Sequence, residues 1–132
     1  MQILRFLMLS SLLLAMSCVD REFVEGRAEI VSITDAPLND SIEIFGNVYR
    51  INSLDNHTYL DNEFEVRMKN SDLASKTDTS GFYSLKTTAG AYSLSCQRAG
   101  NYWERLMVEI NTGEIPRNRK AQIDFYVGYT IE

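Results

Sequence analysis

Histidine occurs once in this chain of 132 residues, as His57, and tryptophan once, as Trp103; there are two cysteines and two prolines. Each scarcity excludes something. A Ser/His/Asp triad or a zinc site would have to be built on His57 alone, and scattered carboxylates do not complete either. Its setting, Leu54-Asp55-Asn56-His57-Thr58, reads as an exposed loop, so a hydrolase using His57 is the weakest functional reading. No HExxH, CxxC, Walker or dinucleotide-type glycine motif occurs. Asp55, Asp61 and Glu63 lack the Asp-x-Asp-x-Asp-Gly order of a calcium loop, so neither a metal nor a cofactor is expected. Carboxylate pairs of the glycosidase kind meet in space rather than in sequence, and nothing here favours one.

Positive charge is also scarce. The formal net charge is −5, and the most basic stretch, Arg117-Asn118-Arg119-Lys120, follows Pro116 in what reads as a solvated turn. Nucleic acid is therefore not an expected partner. Long apolar runs are missing too, apart from Phe6 to Met16 near the N-terminus. That run is the length of a signal-peptide core and too short to cross about 30 Å of hydrocarbon as a helix. It ends in Leu14-Ala15-Met16-Ser17-Cys18, which resembles the lipobox of bacterial lipoproteins. The resemblance implies cleavage before Cys18 and acylation of that residue, which would then carry the whole membrane attachment. Each buried methylene contributes about 0.8 kcal/mol, so two or more chains anchor stably where one does not. The alternative is an ordinary secretory peptide that happens to end near a cysteine.

This reading divides the chain into a signal peptide (1–17), a short acidic tether (18–26) and one domain (27–132) in the bacterial cell envelope, lipid-anchored on the periplasmic or surface side. Removing residues 1–17 takes away Arg5 and no acid, moving the formal charge to −6. A domain of this size buries roughly two-thirds of its unfolded surface around a single core. With Cys18 lipidated, Cys96 has no intramolecular partner and is expected inside the fold as an inert thiol.

What the domain does contain is alternation. Phe64, Val66 and Met68 interleave with Glu65, Arg67 and Lys69; Ile42, Ile44, Gly46 and Val48 share one face, with Glu43 and Asn47 opposite. Tyr83 and Leu85 form another set, as do Tyr92, Leu94 and Cys96; Tyr102, Leu106, Val108 and Ile110; and Ile123, Phe125 and Val127. Period-two patterning is the mark of half-buried strands. With Arg27 to Thr34 as an added edge strand or part of the tether, the spacing predicts an all-β, seven-stranded antiparallel β-sandwich. Residues 51–62 read as a polar loop.

One phrase is written twice. Gly81-Phe82-Tyr83-Ser84-Leu85 and Gly90-Ala91-Tyr92-Ser93-Leu94 both spell Gly-x-Tyr-Ser-Leu. A turn at Thr77 to Gly81, with Asp78 accepting backbone N–H groups and Gly81 at positive φ, would set the first strand going. Ala89-Gly90 would set the second, so the repeat predicts two hairpin arms that aim Tyr and Leu at one core. These phrases are similar to those of the carboxypeptidase regulatory-like domains, which have a transthyretin-like (prealbumin-like) fold. Gly46-Asn47-Val48, Phe64-Glu65-Val66, Thr77 through Leu85, Gly90 through Leu94 and Gly100-Asn101-Tyr102 carry the likeness, over residues 42 to 127. It implies that fold and a domain that is not itself catalytic.

Aromatics give the best lead to function. Parity sends Trp103, Arg105 and Met107 outward if Leu106, Val108 and Ile110 face in, and Tyr126 outward beside Gln122 and Asp124. Paired as a hairpin, the last two strands would gather Trp103, Arg105, Met107 and Tyr126 on one exposed face. Aromatic, Met and Arg side chains are enriched where proteins meet, and a flat ring stacks equally well on a sugar. Packing of Trp103 against the sandwich edge is the plainer alternative. The expectation is a non-enzymatic, lipid-anchored binding or assembly module with a protein partner, with a carbohydrate-binding module as the rival.

Overall fold

A computed structural model describes residues 23–51, 58–60, 63–98 and 107–130. Cys18, His57, Trp103 and Arg105 lie outside the described residues. Those described are all-β, in eleven strands: β1 (Phe23–Val24), β2 (Arg27–Asp35), β3 (Ser41–Ile51), β4 (Thr58–Leu60), β5 (Phe64–Met68), β6 (Ala74–Lys76), β7 (Phe82–Thr88), β8 (Gly90–Arg98), β9 (Val108–Ile115), β10 (Arg119–Val127) and β11 (Tyr129–Thr130). The four beyond the expected seven are two or three residues long.

Two sheets face each other. The first runs β2-β10-β3-β4, with β7 also paired to β3; the second runs β6-β5-β8-β9. One core lies between them. The first sheet supplies Ile42, Ile44, Val48, Tyr83, Leu85, Ala121, Ile123, Phe125 and Val127; the second supplies Phe64, Val66, Met68, Leu94, Cys96, Val108 and Ile115. The alternation is strict in β3, where every second residue from Ile42 to Val48 is buried, and in β5. Each fully buried Ile, Leu, Val or Phe contributes about 1.5–3 kcal/mol relative to its exposed state.

Pairing departs from the sequence reading in several places. The sheet is mixed rather than antiparallel: β3 and β10 run parallel, with Ile42 beside Arg119 and Val48 beside Phe125. β7 and β8 are not hairpin arms. β7 pairs with β3 while β8 pairs with β5 and β9, so the chain changes sheets at Ala89. One intervening residue cannot close a hairpin, whose common loops have at least two. It makes a corner instead, with Gly90 at φ 157°, backbone space that belongs to glycine. β9 and β10 likewise lie in opposite sheets. Between them Pro116 lacks a ladder donor, and Asn118, at φ 58°, donates its N–H to Ser41 O (2.8 Å).

Two boundaries also move. β1 pairs with β11, so the strands begin inside the segment expected as tether. β4 pairs with Tyr49–Ile51 of β3, inside the stretch expected as loop. Arg27 to Asp35 is an edge strand, antiparallel to β10.

The turn chemistry is as read from the sequence. Asp78 Oδ1 accepts from the N–H of Ser80 (2.8 Å) and of Phe82 (3.0 Å), and Gly81 takes φ 76°. Thr77 ties this turn to the second sheet: its N–H donates to Phe64 O (2.9 Å) and its Oγ1 accepts from Phe64 N–H (3.1 Å).

Candidate functional site

The outer face of the first sheet is fixed by the strands that make its core. Because Ile42, Ile44, Gly46 and Val48 point in, Glu43, Phe45, Asn47 and Tyr49 point out. In β10, Ala121, Ile123, Phe125 and Val127 point in, and Lys120, Gln122 and Tyr126 point out. The parallel register sets Tyr126 beside Tyr49, and the antiparallel register sets it beside Arg27. Side chains from β2, β3 and the much later β10 thus form one row.

The row is tightly arranged. The Tyr49 and Tyr126 rings stack with centroids 5.0 Å apart and planes within 16°. The Arg27 guanidinium lies 4.1 Å from the Tyr126 centroid, a cation–π contact, and its Nε donates to Glu29 Oε1 (3.2 Å). Partial burial, with the Glu29 and Asp124 carboxylates and Tyr49 adding to it, pushes the Tyr126 phenol above its ordinary range, against the pull of Arg27. Tyr126 therefore stays a neutral donor and acceptor at physiological pH. Further along the face Phe45 meets Phe82 at 6.4 Å, Phe82 is 40% exposed, and Lys120 Nζ sits 5.4 Å from the Phe45 ring.

Beside the aromatic row is a polar joint. Asp124 was expected to face water, yet it is 6% exposed, and its Oδ1 accepts the Asn47 N–H (3.0 Å). Next to it the Tyr83 hydroxyl donates to Ile123 O (2.6 Å). A Cβ on residue 46 would stand 2.0 Å from that same carbonyl oxygen and 2.8 Å from Asp124 Oδ1, so Gly46 is required by close approach. The joint locks β3, β7 and β10 together two residues along β3 and β10 from Tyr49 and Tyr126.

Of the residues expected to form one exposed surface, Tyr126 lies in this row. Met107 is half-buried and immediately precedes β9, a strand of the other sheet, so it does not lie in the row with Tyr126. Arg27, Phe45, Tyr49 and Phe82 were missed as a group. Parity within β3 was the available signal for Phe45 and Tyr49; the register that joins them to Tyr126 was not.

The outer face of the second sheet carries a polar hollow of about 490 Å³, lined in part by Arg67, Lys69, Asp72, Ser93, Ser95 and Glu109. Elsewhere the basic stretch is neutralised rather than gathered: Arg119 pairs with Asp35 (2.8 Å), Lys120 with Glu43 (3.5 Å) and Arg117 with Asp40 (3.7 Å). Cys96 is fully buried, and burial pushes its thiol up, so it is no nucleophile. Among the described residues, no three His, Cys, Asp or Glu side chains gather as metal ligands. No protein-family model matches the chain, and no curated protein or solved structure matches it.

Proposed function

We propose that this protein is a lipid-anchored, non-enzymatic binding or assembly module of the bacterial envelope, held at Cys18 and presenting the outer face of its first sheet to a protein partner. The carrying observation is the row Arg27–Tyr126–Tyr49, continued by Phe45 and Phe82. Two stacked rings under a guanidinium form a rigid amphipathic surface of the kind that anchors protein interfaces at low entropic cost. The joint of Tyr83, Asp124 and Gly46 fixes those strands, so the surface is organised before a partner arrives. The motifs at Gly46, Thr77–Leu85 and Gly90–Leu94 support a transthyretin-like, carboxypeptidase regulatory-like fold, in which the domain itself is not catalytic.

The test is photo-crosslinking in intact envelopes from a probe at position 82, in the wild-type background and with Tyr126→Ala plus Arg27→Ala. Loss of one discrete adduct in the double variant supports the reading, whereas unchanged adducts remove this face from it. Radiolabelled fatty acid should enter the wild type and not Cys18→Ser; equal labelling refutes the anchor. A carbohydrate-binding reading draws on the polar hollow with Arg67, Ser93, Ser95 and Glu109. If gels cast with a panel of envelope and host polysaccharides leave the protein's migration unaltered, that reading is excluded.

A further inference from the structure

We propose that the outer edge of β2 is a self-association site, through which two copies pair antiparallel and join their first sheets into one. β2 is nine residues long and, among the described residues, no strand pairs with its outer edge. Of the four large hydrophobic side chains exposed among the described residues, three lie on it. Ile30 is 42% exposed, Val31 52% and Ile33 45%. A long apolar edge with unpaired N–H and C=O groups is a template for another strand.

Among the described residues, the other sheet edges are shorter or more polar. β4 and β6 have three residues each, and Lys76 of β6 is exposed; β9 presents Glu109, Asn111, Gly113 and Glu114 to solvent. On β7 the Ser84 N–H is taken by Ser75 Oγ (3.3 Å).

The occupant follows from register. Opposite residues of an antiparallel pair share a face, so Ile33, opposite buried Ala121, and Ile30, opposite buried Ile123, both lie on the core side of the sheet. They remain exposed there because β2 is the edge strand and overhangs the core. The register shift at Val31 is what puts two residues three apart on the same face. A second copy running antiparallel meets that pattern in one alignment: Ile30 opposite Ile33 of the second copy, and Ile33 opposite its Ile30. Four isoleucines then close over one another. In this alignment Glu29 faces Thr34 and Ala28 faces Asp35, so no like charges oppose. A parallel, in-register pairing would set Glu29 beside Glu29. The antiparallel alignment avoids that clash.

The test uses the full chain in mild detergent, by sedimentation velocity and by oxidation of paired cysteines. Wild type is expected to dimerise, and Ile33→Lys and Val31→Lys to weaken the dimer at least about tenfold, while Glu114→Lys on β9 leaves it intact. Both lysine sites are already exposed, and circular dichroism checks that the variants fold. Mixing Ile30→Cys with Ile33→Cys chains should give a disulfide-linked pair well above that from either variant alone. A monomeric wild type at about 100 μM overturns the proposal. So does a dimer indifferent to both lysines, or one that links Ile30→Cys to itself as readily as to Ile33→Cys.

Discussion

The two copies of Gly-x-Tyr-Ser-Leu are nearly identical in sequence and different in what they do. Tyr83 is buried in the first sheet, its ring edge-on to Phe125 and its hydroxyl bonded to Ile123 O, forty residues away. Tyr92 is half-buried at a register shift in the second sheet, and its hydroxyl bonds Thr88 O only four residues back (2.6 Å). Its own N–H leaves the ladder for Thr112 Oγ1 (3.0 Å). One tyrosine ties distant strands together; the other braces the corner that carries the chain between sheets. The leucines, by contrast, are equivalent, Leu85 and Leu94 both being buried in the shared core. A repeated phrase therefore specifies parity, and context decides what the polar end of each side chain does.

The equivalent half of that comparison breaks hardest. Leu85→Ala and Leu94→Ala should each cost about 2–5 kcal/mol of unfolding free energy, because each removes buried methylenes and leaves a cavity. Urea titration should give similar midpoints for the two variants; a Leu85→Ala variant with near-wild-type stability would mean that the first phrase does not feed the common core.

The tyrosines should then separate. Tyr83→Phe leaves the Ile123 carbonyl buried without its donor, a loss of about 1–3 kcal/mol. The same residue sets an alkaline limit. Burial pushes the Tyr83 phenol and the Cys96 thiol up, so the folded state keeps protons that an unfolded chain releases above about pH 10 and about pH 8.5 respectively. Fewer protons bound in the unfolded state means that stability falls as pH rises, by up to about 1.4 kcal/mol per pH unit for each group. Between pH 10 and 11, Tyr83→Phe should lose stability less steeply than wild type; equal slopes would show that the phenol titrates freely.

Glycine positions should rank next. Gly81 sits at φ 76°, where an L side chain is strained, and Gly81→Ala should cost about 1–2 kcal/mol. A neutral Gly81→Ala would mean the turn can adopt another geometry, leaving Asp78 without its two donors.

How much of this was readable follows from the range over which each feature is decided. Parity is local, so the inward residues of β3, β5, β7 and β8 could be read directly, and so could the Asp78–Gly81 turn. Partnership is not local. β7 and β8 adjoin in sequence yet lie in opposite sheets, and β3 finds β10 in parallel across most of the domain. Tyr126 was readable as outward-facing, but its neighbours Tyr49 and Arg27 come from other strands, through the pairings of β10 with β3 and with β2. β1, β4, β6 and β11 are too short to display a period. Asp124 broke the apolar run Ile123-Asp124-Phe125 visibly, but parity alone assigned it to solvent; the carboxylate's place against Asn47 N–H depends on Gly46 letting the strands close.

The gentlest substitution tests the comparison most sharply. Tyr92→Phe removes a hydroxyl whose acceptor, Thr88 O, lies at an exposed residue, so water replaces the lost donor and the cost should stay below about 1 kcal/mol. The ring remains against the core, and the main-chain bond from Tyr92 N–H to Thr112 Oγ1 does not involve the hydroxyl. Tyr83→Phe and Tyr92→Phe are thus the same chemical change in the same phrase, and their difference isolates burial of the acceptor. Equal losses in urea titration would mean that the corner at Ala89–Gly90 is held by the Tyr92 hydroxyl as firmly as the joint is held by Tyr83, and that the two copies are alike after all.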